Sequence, residues 1–133
     1  MTHLEQERRT RRRAAAVRAA VEAARGRIDA HVAAHRAEPL RVADLAAEAG
    51  VSECHFIRQF REHVGMPPHA YLTKRRLEHA AELLREGVVS SEVALLMGFA
   101  DQAHFGRRFR RAFGIPPGEY QRRARVARAM GER

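Results

Sequence analysis

The sequence predicts an all-α fold in which two helix-turn-helix subdomains are joined by a long connector helix and preceded by an N-terminal Arg/Ala-rich helix. Three observations support this prediction. Apolar residues recur at helical spacing along most of the chain. No segment shows the sustained alternation of apolar and polar residues that is typical of strands. A stretch of the first half recurs in the second half at a constant offset of 49 residues.

Composition bounds both the size of the fold and its partners. A chain of 133 residues holds one ordinary domain, or two very small ones that share a connecting element. The formal net charge of +9 and the isoelectric point near 11.3 make a polyanion the first partner to test. Cys54 is the only cysteine, which excludes an internal disulfide and favours a reducing, cytoplasmic setting. No apolar run approaches transmembrane length, so no membrane partner is expected.

The N-terminal part of the chain is rich in alanine and arginine. Apolar residues at helical spacing predict one long helix over residues 10–36, which ends before Glu38-Pro39 because proline disfavours helical geometry in the residue that precedes it. Residues 1–27 are interpreted as a basic tail or helix. The arginine run at positions 8–13 is typical of a disordered tail, and a phosphate or minor-groove contact is the alternative. Dimerisation is an alternative role for the helix.

The next two elements form the first predicted subdomain, residues 28–66. A helix over residues 42–49 is followed by a turn at Gly50. Ser52 then opens a second helix that lasts until Gly65.

The connector helix is predicted over residues 67–86 and the second subdomain over residues 87–127. In this subdomain Ser90 or Ser91 caps a short helix, and Gly98 makes the turn after it. The remaining predicted segments are a helix over residues 101–113, a last helix after Pro116-Pro117, and a C-terminal tail over residues 128–133.

The internal repeat is the strongest single signal. Residues 55–71 laid over residues 104–120 give nine identities in seventeen positions, which chance does not produce. Each copy has a short helix, a glycine turn and a second helix, which is the helix-turn-helix order. The identical pairs are His55/His104, Phe56/Phe105, Arg58/Arg107, Phe60/Phe109, Arg61/Arg110, Gly65/Gly114, Pro67/Pro116, Pro68/Pro117 and Tyr71/Tyr120.

The second helix of each copy is predicted to have one buried and one exposed face. A helix that carries exposed arginines suits the major groove of DNA, where guanidinium groups read guanine. The residues predicted to be buried are Phe56, Phe60, Val64, Phe105, Phe109 and Phe113. The residues predicted on the opposite faces are Cys54, Arg58, Arg61, Ala103, Arg107 and Arg110.

The most specific pattern in the chain is Ala94-x-x-x-Gly98-Phe99, then Phe105-x-Arg107-x-Phe109, then Gly114-x-x-Pro117-x-x-Tyr120. With its counterpart in the first copy, this pattern resembles the DNA-binding domain of the AraC/XylS family of bacterial transcription regulators, over residues 28–123. The resemblance implies a connector helix over residues 68–86 that sets the two recognition helices about 34 Å apart, so that they enter successive major grooves. It also implies binding of double-stranded DNA as a monomer, and most often an activator that contacts RNA polymerase.

Several positions depart from the family pattern. Cys54 and Ala103 stand where polar or bulky residues are usual, Ile57 and Gly106 stand where base contacts are often found, and Gln121 stands where arginine is common. We interpret Ile57 as a contact for a thymine methyl group. Glu53 would accept a hydrogen bond from a cytosine amino group or repel phosphate. The residues expected to contact DNA are Glu53, Cys54, Ile57, Arg58 and Arg61 in the first copy and Gln102, Ala103, Gly106, Arg107 and Arg110 in the second.

Charge is distributed unequally between the two copies. Residues 38–63 hold five acids against three arginines, a net charge of −2. Residues 101–128 hold eight arginines against two acids, a net charge of +6. Because phosphate neutralisation supplies most non-specific affinity, we expect the second unit to anchor the protein and the first to discriminate between sites.

Other chemistry has little support. His31 and His35 stand four residues apart, as metal ligands on a helix do, but solvated or capping histidines are commoner, and no metal or other cofactor is predicted. A redox role for Cys54 is a minor alternative. No nucleophile-base pair, Gly-rich phosphate loop or paired carboxylate motif predicts an enzyme. A non-specific or architectural nucleic-acid-binding protein is the alternative function. The chain is either a short regulator or a fragment that lacks an effector domain.

Overall fold

The computed structural model describes residues 2–35 and 38–131, which contain seven α-helices and no strand. The predicted all-α fold is therefore confirmed, with two helix-turn-helix units and a long helix between them. The helices are α1 His3–Ala33, α2 Val42–Ala49, α3 Glu53–Val64, α4 Pro68–Arg85, α5 Ser90–Leu96, α6 Gln102–Phe113 and α7 Pro117–Gly131.

Helix α1 begins seven residues earlier than predicted, at His3 rather than residue 10. The Thr2 hydroxyl accepts a hydrogen bond from the Glu5 N–H at 3.2 Å, and the Glu5 carboxylate accepts one from the Thr2 N–H at 3.4 Å. This reciprocal pair is a capping box, which satisfies donors that the first helical turn leaves free. The interpretation of the arginine run at 8–13 as a disordered tail is wrong, because the run is helical. The predicted helix end at Arg36 lies outside the described residues.

The chain divides into two compact units, and the first comprises Leu40–Leu72 with the described residues up to Ala30. One face of α1 is buried in this unit against the helix pair α2 and α3. The Tyr71 hydroxyl donates to the Asp29 carboxylate at 2.9 Å, and the Tyr71 ring packs edge-on against Phe60. The buried apolar residues of this unit are Val21, Ala24, Ile28, Leu45, Ala46, Phe56, Phe60, Tyr71 and Leu72.

The second unit comprises the described residues of His31–Pro39 and Thr73–Arg133. Its core lies where the C-terminal part of α4 meets α5 and α6. Phe109 contacts Tyr120 of α7 edge-on, with ring centroids 5.2 Å apart. The buried apolar residues of this unit are Val32, Leu77, Ala80, Ala81, Leu83, Leu84, Val93, Ala94, Met97, Phe105 and Phe109. The predicted subdomain limits stay a prediction.

Two residues of the predicted buried stripes are not buried. Phe113 is 38% exposed, and Val64 is only half-buried. Both are the last residue of their helix, where the stripe runs past the core that covers its first two positions. Phe113 instead stacks on Phe109, with ring centroids 4.5 Å apart.

The turns inside both helix-turn-helix units follow the prediction. Gly50 and Gly98 have φ angles of +73° and +75°, a left-handed conformation that side chains with a Cβ rarely adopt. The predicted cap of α5 at Ser90 or Ser91 is wrong. Ser90 is the first helical residue, and Val89 precedes it without any side-chain cap.

The C-terminal end of α4 is closed by Gln121 of α7. Its amide nitrogen donates to the carbonyl oxygens of Leu84 at 3.0 Å and of Val88 at 2.8 Å. Carbonyls in the last turn of a helix lack intrahelical donors, so the contact satisfies an otherwise free acceptor. Although Gln121 departs from the arginine usual in the resembled family, it makes a backbone contact.

Candidate nucleic-acid interface

Each helix-turn-helix unit presents its second helix in the same way. The N-terminus of α3 is capped by Ser52, whose hydroxyl accepts from the His55 N–H at 3.2 Å. The N-terminus of α6 is capped by Asp101, whose carboxylate accepts from the His104 N–H at 2.7 Å. A capped first turn holds the residues beside it in a defined helical geometry. These are the residues that a recognition helix directs at base edges.

In α3 all five predicted contact residues are exposed, and Ile57 has 38% of its surface accessible. On the opposite face Phe56 and Phe60 are almost completely buried, at 2% and 0%. The aromatic pair therefore fixes the rotation of α3 about its axis. The exposed residues are Glu53, Cys54, Ile57, Arg58 and Arg61.

In α6 four of the five predicted contact residues are exposed, while Gly106 is half-buried. Phe105 and Phe109 are 0% exposed and anchor the opposite face. A Cβ atom placed on Gly106 would meet no atom within 4 Å, so the helix surface is open at this position. The exposed residues are Gln102, Ala103, Arg107 and Arg110.

The arginines of the two recognition helices carry no carboxylate partner within residues 2–35 and 38–131. Several other arginines do have one, such as Arg25 with Glu22 at 3.3 Å and Arg123 with Glu119 at 2.7 Å. An unpaired guanidinium keeps all its donors available for an incoming anion or base edge. The unpaired arginines of the recognition helices are Arg58, Arg61, Arg107, Arg108, Arg110 and Arg111.

The repeated histidines lie at structural positions. The backbone N–H of each takes part in a helix cap, as described above. The His104 ring packs edge-on against Phe99, with centroids 5.6 Å apart. Its Nδ1 atom is buried without a hydrogen-bond partner in the described part of the chain.

The metal alternative for His31 and His35 gains no third ligand. No group of three or more His, Cys, Asp or Glu side chains in the described residues is arranged to hold a metal ion. His35 instead has its Nε2 atom 2.7 Å from Nε2 of His79, whose Nδ1 atom lies 3.3 Å from the Glu82 carboxylate. Sequence reasoning missed His79, because no local pattern links it to a residue 44 positions earlier.

Arg76 of α4 is a second residue that sequence reasoning missed. Burial lowers the pKa of its guanidinium group below the ordinary value. Its side chain lies under the turn of the second unit, 3.7 Å from the position that a Cβ atom on Gly98 would occupy. Arg76 therefore supports the turn and lies away from the exposed face of α6.

None of the helices in the described residues is both long enough and apolar enough to cross a membrane. Two capped helices with exposed, unpaired arginines, each preceded by a short helix and a glycine turn, define a protein of the helix-turn-helix class. Known proteins allow a narrower assignment.

A helix-turn-helix domain family model matches residues 45–123, which is more than half of the chain. An uncharacterised HTH-type transcriptional regulator, YbfI of Bacillus subtilis, is 35% identical over 69 residues, which are 52% of this chain and 25% of that protein. The probable transcriptional regulator LumQ of Photobacterium leiognathi is 35% identical over 77 residues, 57% of this chain and 31% of that protein. The chain thus spans between a quarter and a third of these relatives, which are transcriptional regulators and not enzymes.

Solved structures show the same fold. The C-terminal domain of AraT, a response regulator from Geobacillus stearothermophilus, has a TM-score of 0.68 and 31% identity, covering 77% of this chain and 84% of that one. A probable AraC family transcriptional regulator from Rhodopseudomonas palustris has a TM-score of 0.69 and 30% identity, covering 79% and 96%. The chain belongs to the AraC-type helix-turn-helix family of transcriptional regulators.

Proposed function

We propose that the chain binds double-stranded DNA sequence-specifically as the DNA-binding part of a transcription regulator, with α3 and α6 each inserted into a major groove. The observation that carries this proposal is the equivalent placement of Arg58 and Arg107. Both are exposed, lack a carboxylate partner among the described residues, and stand six positions after a helix cap. An arginine so placed donates two hydrogen bonds to O6 and N7 of guanine, which is the commonest specific contact.

The neighbouring side chains supply further readout. The exposed methyl groups of Ile57 fit the C5 methyl of thymine, and the Glu53 carboxylate fits the amino group of cytosine. In α6 the small residues Ala103 and Gly106 leave room for the duplex to approach the backbone closely. The DNA-binding domain of AdpA, a global transcriptional factor crystallised with a target DNA, supports this reading through its TM-score of 0.68 and 31% identity.

Selection of bound duplexes from a random DNA pool tests the proposal. We expect enrichment of a site with two conserved elements whose centres are separated by about one helical turn, roughly 10 base pairs. The elements should differ in sequence, because α3 and α6 differ at most of the exposed positions outside the shared arginines. A pool that stays random after repeated rounds would contradict sequence-specific binding.

We further propose that the two units share the work unequally. The first helix-turn-helix region, residues 38–63, has a net charge of −2, and residues 101–128 have a net charge of +6. Phosphate contacts give affinity without sequence information, so the second unit anchors and the first discriminates. Arg107→Ala should weaken binding to selected and random duplexes alike, whereas Arg58→Ala should mainly lower the ratio between them. Equal effects of both variants on both duplexes would contradict this division.

The net charge of +9 favours a second candidate, a non-specific or architectural nucleic-acid-binding protein. Salt titration separates the two, since a specific binder keeps a large ratio of selected to random affinity as salt rises, whereas a charge-only binder loses both together. Activation through RNA polymerase, a cytoplasmic location, and binding either as a monomer or as a dimer through α1 complete the proposal. These last features rest on the family and not on contacts within the chain.

A further inference from the structure

The N-terminal half of α1 carries a concentrated positive charge that the proposed recognition helices do not use. Six arginines lie between Glu7 and Glu22, and no acidic residue interrupts them. The whole chain has a formal net charge of +9, so this short stretch holds a large part of it. The arginines are Arg8, Arg9, Arg11, Arg12, Arg13 and Arg18.

This half of the helix extends beyond the core of the first unit. Residues 2–16 are all exposed, and the first buried residue of α1 is Val21. At 1.5 Å per residue, residues 3–16 form a helical arm of about 21 Å. The arm continues directly into the buried stripe of α1, so its position is fixed by the same packing that fixes α3.

The arginines of the arm are free and clustered. Arg9, Arg12 and Arg13 line one open basin together with Glu5, so their side chains share a side of the helix. None of the six arginines has a carboxylate partner within residues 2–35 and 38–131. Further along the same helix, outside the arm, Arg25 pairs with Glu22 and Arg27 pairs with Glu48.

The arm starts beside the recognition helix of its own unit. Arg13 lines an apolar cavity of about 210 Å³ that is also lined by His55 and Gln59 of α3. The remaining arginines of the run extend from this point toward the N-terminus. A duplex held by the exposed face of α3 would therefore have the arm near the phosphates that flank its site.

We propose that the N-terminal arm of α1 binds the phosphate backbone of the DNA that flanks the site read by α3. This inference rests on the proposed function and adds a partner surface to it. The acidic first helix-turn-helix region lacks phosphate-binding charge of its own, and the arm of the same unit supplies it. Guanidinium groups suit phosphate because their planar donors match its oxygens.

The composition of the arm argues against a second copy of the chain as the partner. Helix pairing in water needs an apolar stripe. Among residues 3–16 the only large apolar residue is Leu4, which is 56% exposed, and the others are alanines and polar residues. Two such arms would also bring like charges together.

The test compares the full chain with a triple variant, Arg9→Gln, Arg12→Gln and Arg13→Gln. Glutamine has a helix propensity close to that of arginine, so circular dichroism should show an unchanged helix. The matched control replaces the same three residues by lysine, which keeps the charge. Fluorescence anisotropy then gives the dissociation constant for the selected duplex at several salt concentrations.

Each phosphate contact contributes about 0.9 to the slope of log affinity against log salt concentration. We expect the slope of the glutamine variant to fall by about 2 to 3, with the lysine variant close to the wild type. Between 50 and 200 mM salt, the loss of affinity should then be about 10- to 40-fold smaller than for the wild type. The ratio of selected to random affinity should stay the same, because phosphates carry no sequence information.

A second measurement does not depend on the variants. The wild-type chain should bind a selected duplex with about 10 additional base pairs beyond the α3 element more tightly than the bare site, and the same extension beyond the α6 element should add less. An unchanged salt slope in a glutamine variant that still binds DNA would overturn the proposal, as would a change in dimerisation without a change in slope. Failure of the wild-type chain to bind any duplex would instead overturn the proposed function itself.

Discussion

The contact between Gln121 and the end of α4 allows a quantitative test of the second unit. Replacing Gln121 by alanine removes both hydrogen bonds to the carbonyl oxygens of Leu84 and Val88. The Leu84 carbonyl keeps a second donor, the N–H of Gly87 at 3.1 Å. The Val88 carbonyl has no such alternative among the described residues, so its loss dominates.

A net hydrogen bond between neutral groups contributes about 1 kcal/mol. With the Val88 bond lost in full and the Leu84 bond in part, we expect Gln121→Ala to lower the free energy of unfolding by about 1.5 kcal/mol. For a chain of this size, that corresponds to a fall in Tm of roughly 5 °C. The chain has no tryptophan, so circular dichroism at 222 nm during urea and thermal unfolding is the suitable assay.

The variants at this position discriminate between hydrogen bonding and simple packing. Gln121→Arg keeps donors within reach of both carbonyls and should cost less than about 0.5 kcal/mol. Gln121→Glu places an acceptor against two acceptors and should destabilise more than alanine does. Arg122→Ala, next to it and exposed, is the control and should change little. The reasoning is refuted if the glutamate variant is as stable as the wild type, or if the arginine variant loses as much as alanine.

Two further pairs of substitutions test the turn and the caps. Gly98→Ala should destabilise by about 1 to 2 kcal/mol because of the φ of +75°, whereas Gly26→Ala, in open space within α1, should stabilise by about 0.5 to 1 kcal/mol; urea unfolding measures both, and effects of the same sign would contradict the argument. Asp101→Ala should cost about 1 kcal/mol through loss of the α6 cap, while Ser90→Ala, which removes no cap, should stay within about 0.5 kcal/mol of wild type. Thermal unfolding followed by circular dichroism checks this pair, and a larger loss in the serine variant would show that the caps are misassigned.

Much of the fold was predictable because the repeat carries its own turn and cap residues. The glycine turns and the caps at Ser52 and Asp101 follow from local chemistry. The start of α1 was missed for a physical reason. A run of like charges normally opposes helix formation, but the capping box of Thr2 and Glu5 and the helical packing downstream outweigh that repulsion.

Other features needed the packed structure. Phe113 follows the helical spacing of its neighbours, yet the spacing does not show where the core ends. Gln121 closes α4 across 37 residues of sequence, and no local pattern marks such a contact. The pairing of His35 with His79 is of the same kind.

The candidate site was predictable in its placement but not in its readout. A helical wheel with two buried aromatics fixes which residues face outward, and nine of the ten predicted contact residues are exposed as a result. The bases they read depend on how the helices dock in the groove, which the sequence of the protein alone does not determine. The departures at Cys54 and Ala103 make that readout particular to this chain.

The most direct test of the central claim is a repeat of the DNA selection with Arg58→Ala and Arg107→Ala. If α3 and α6 are both recognition helices, each variant should lose preference at its own base position, at a cost of about 1 to 3 kcal/mol against guanine there. The two relaxed positions should lie in different elements of the selected site. Loss of preference at the same position in both variants, or unchanged preference in both, would contradict the claim that the two helices read DNA.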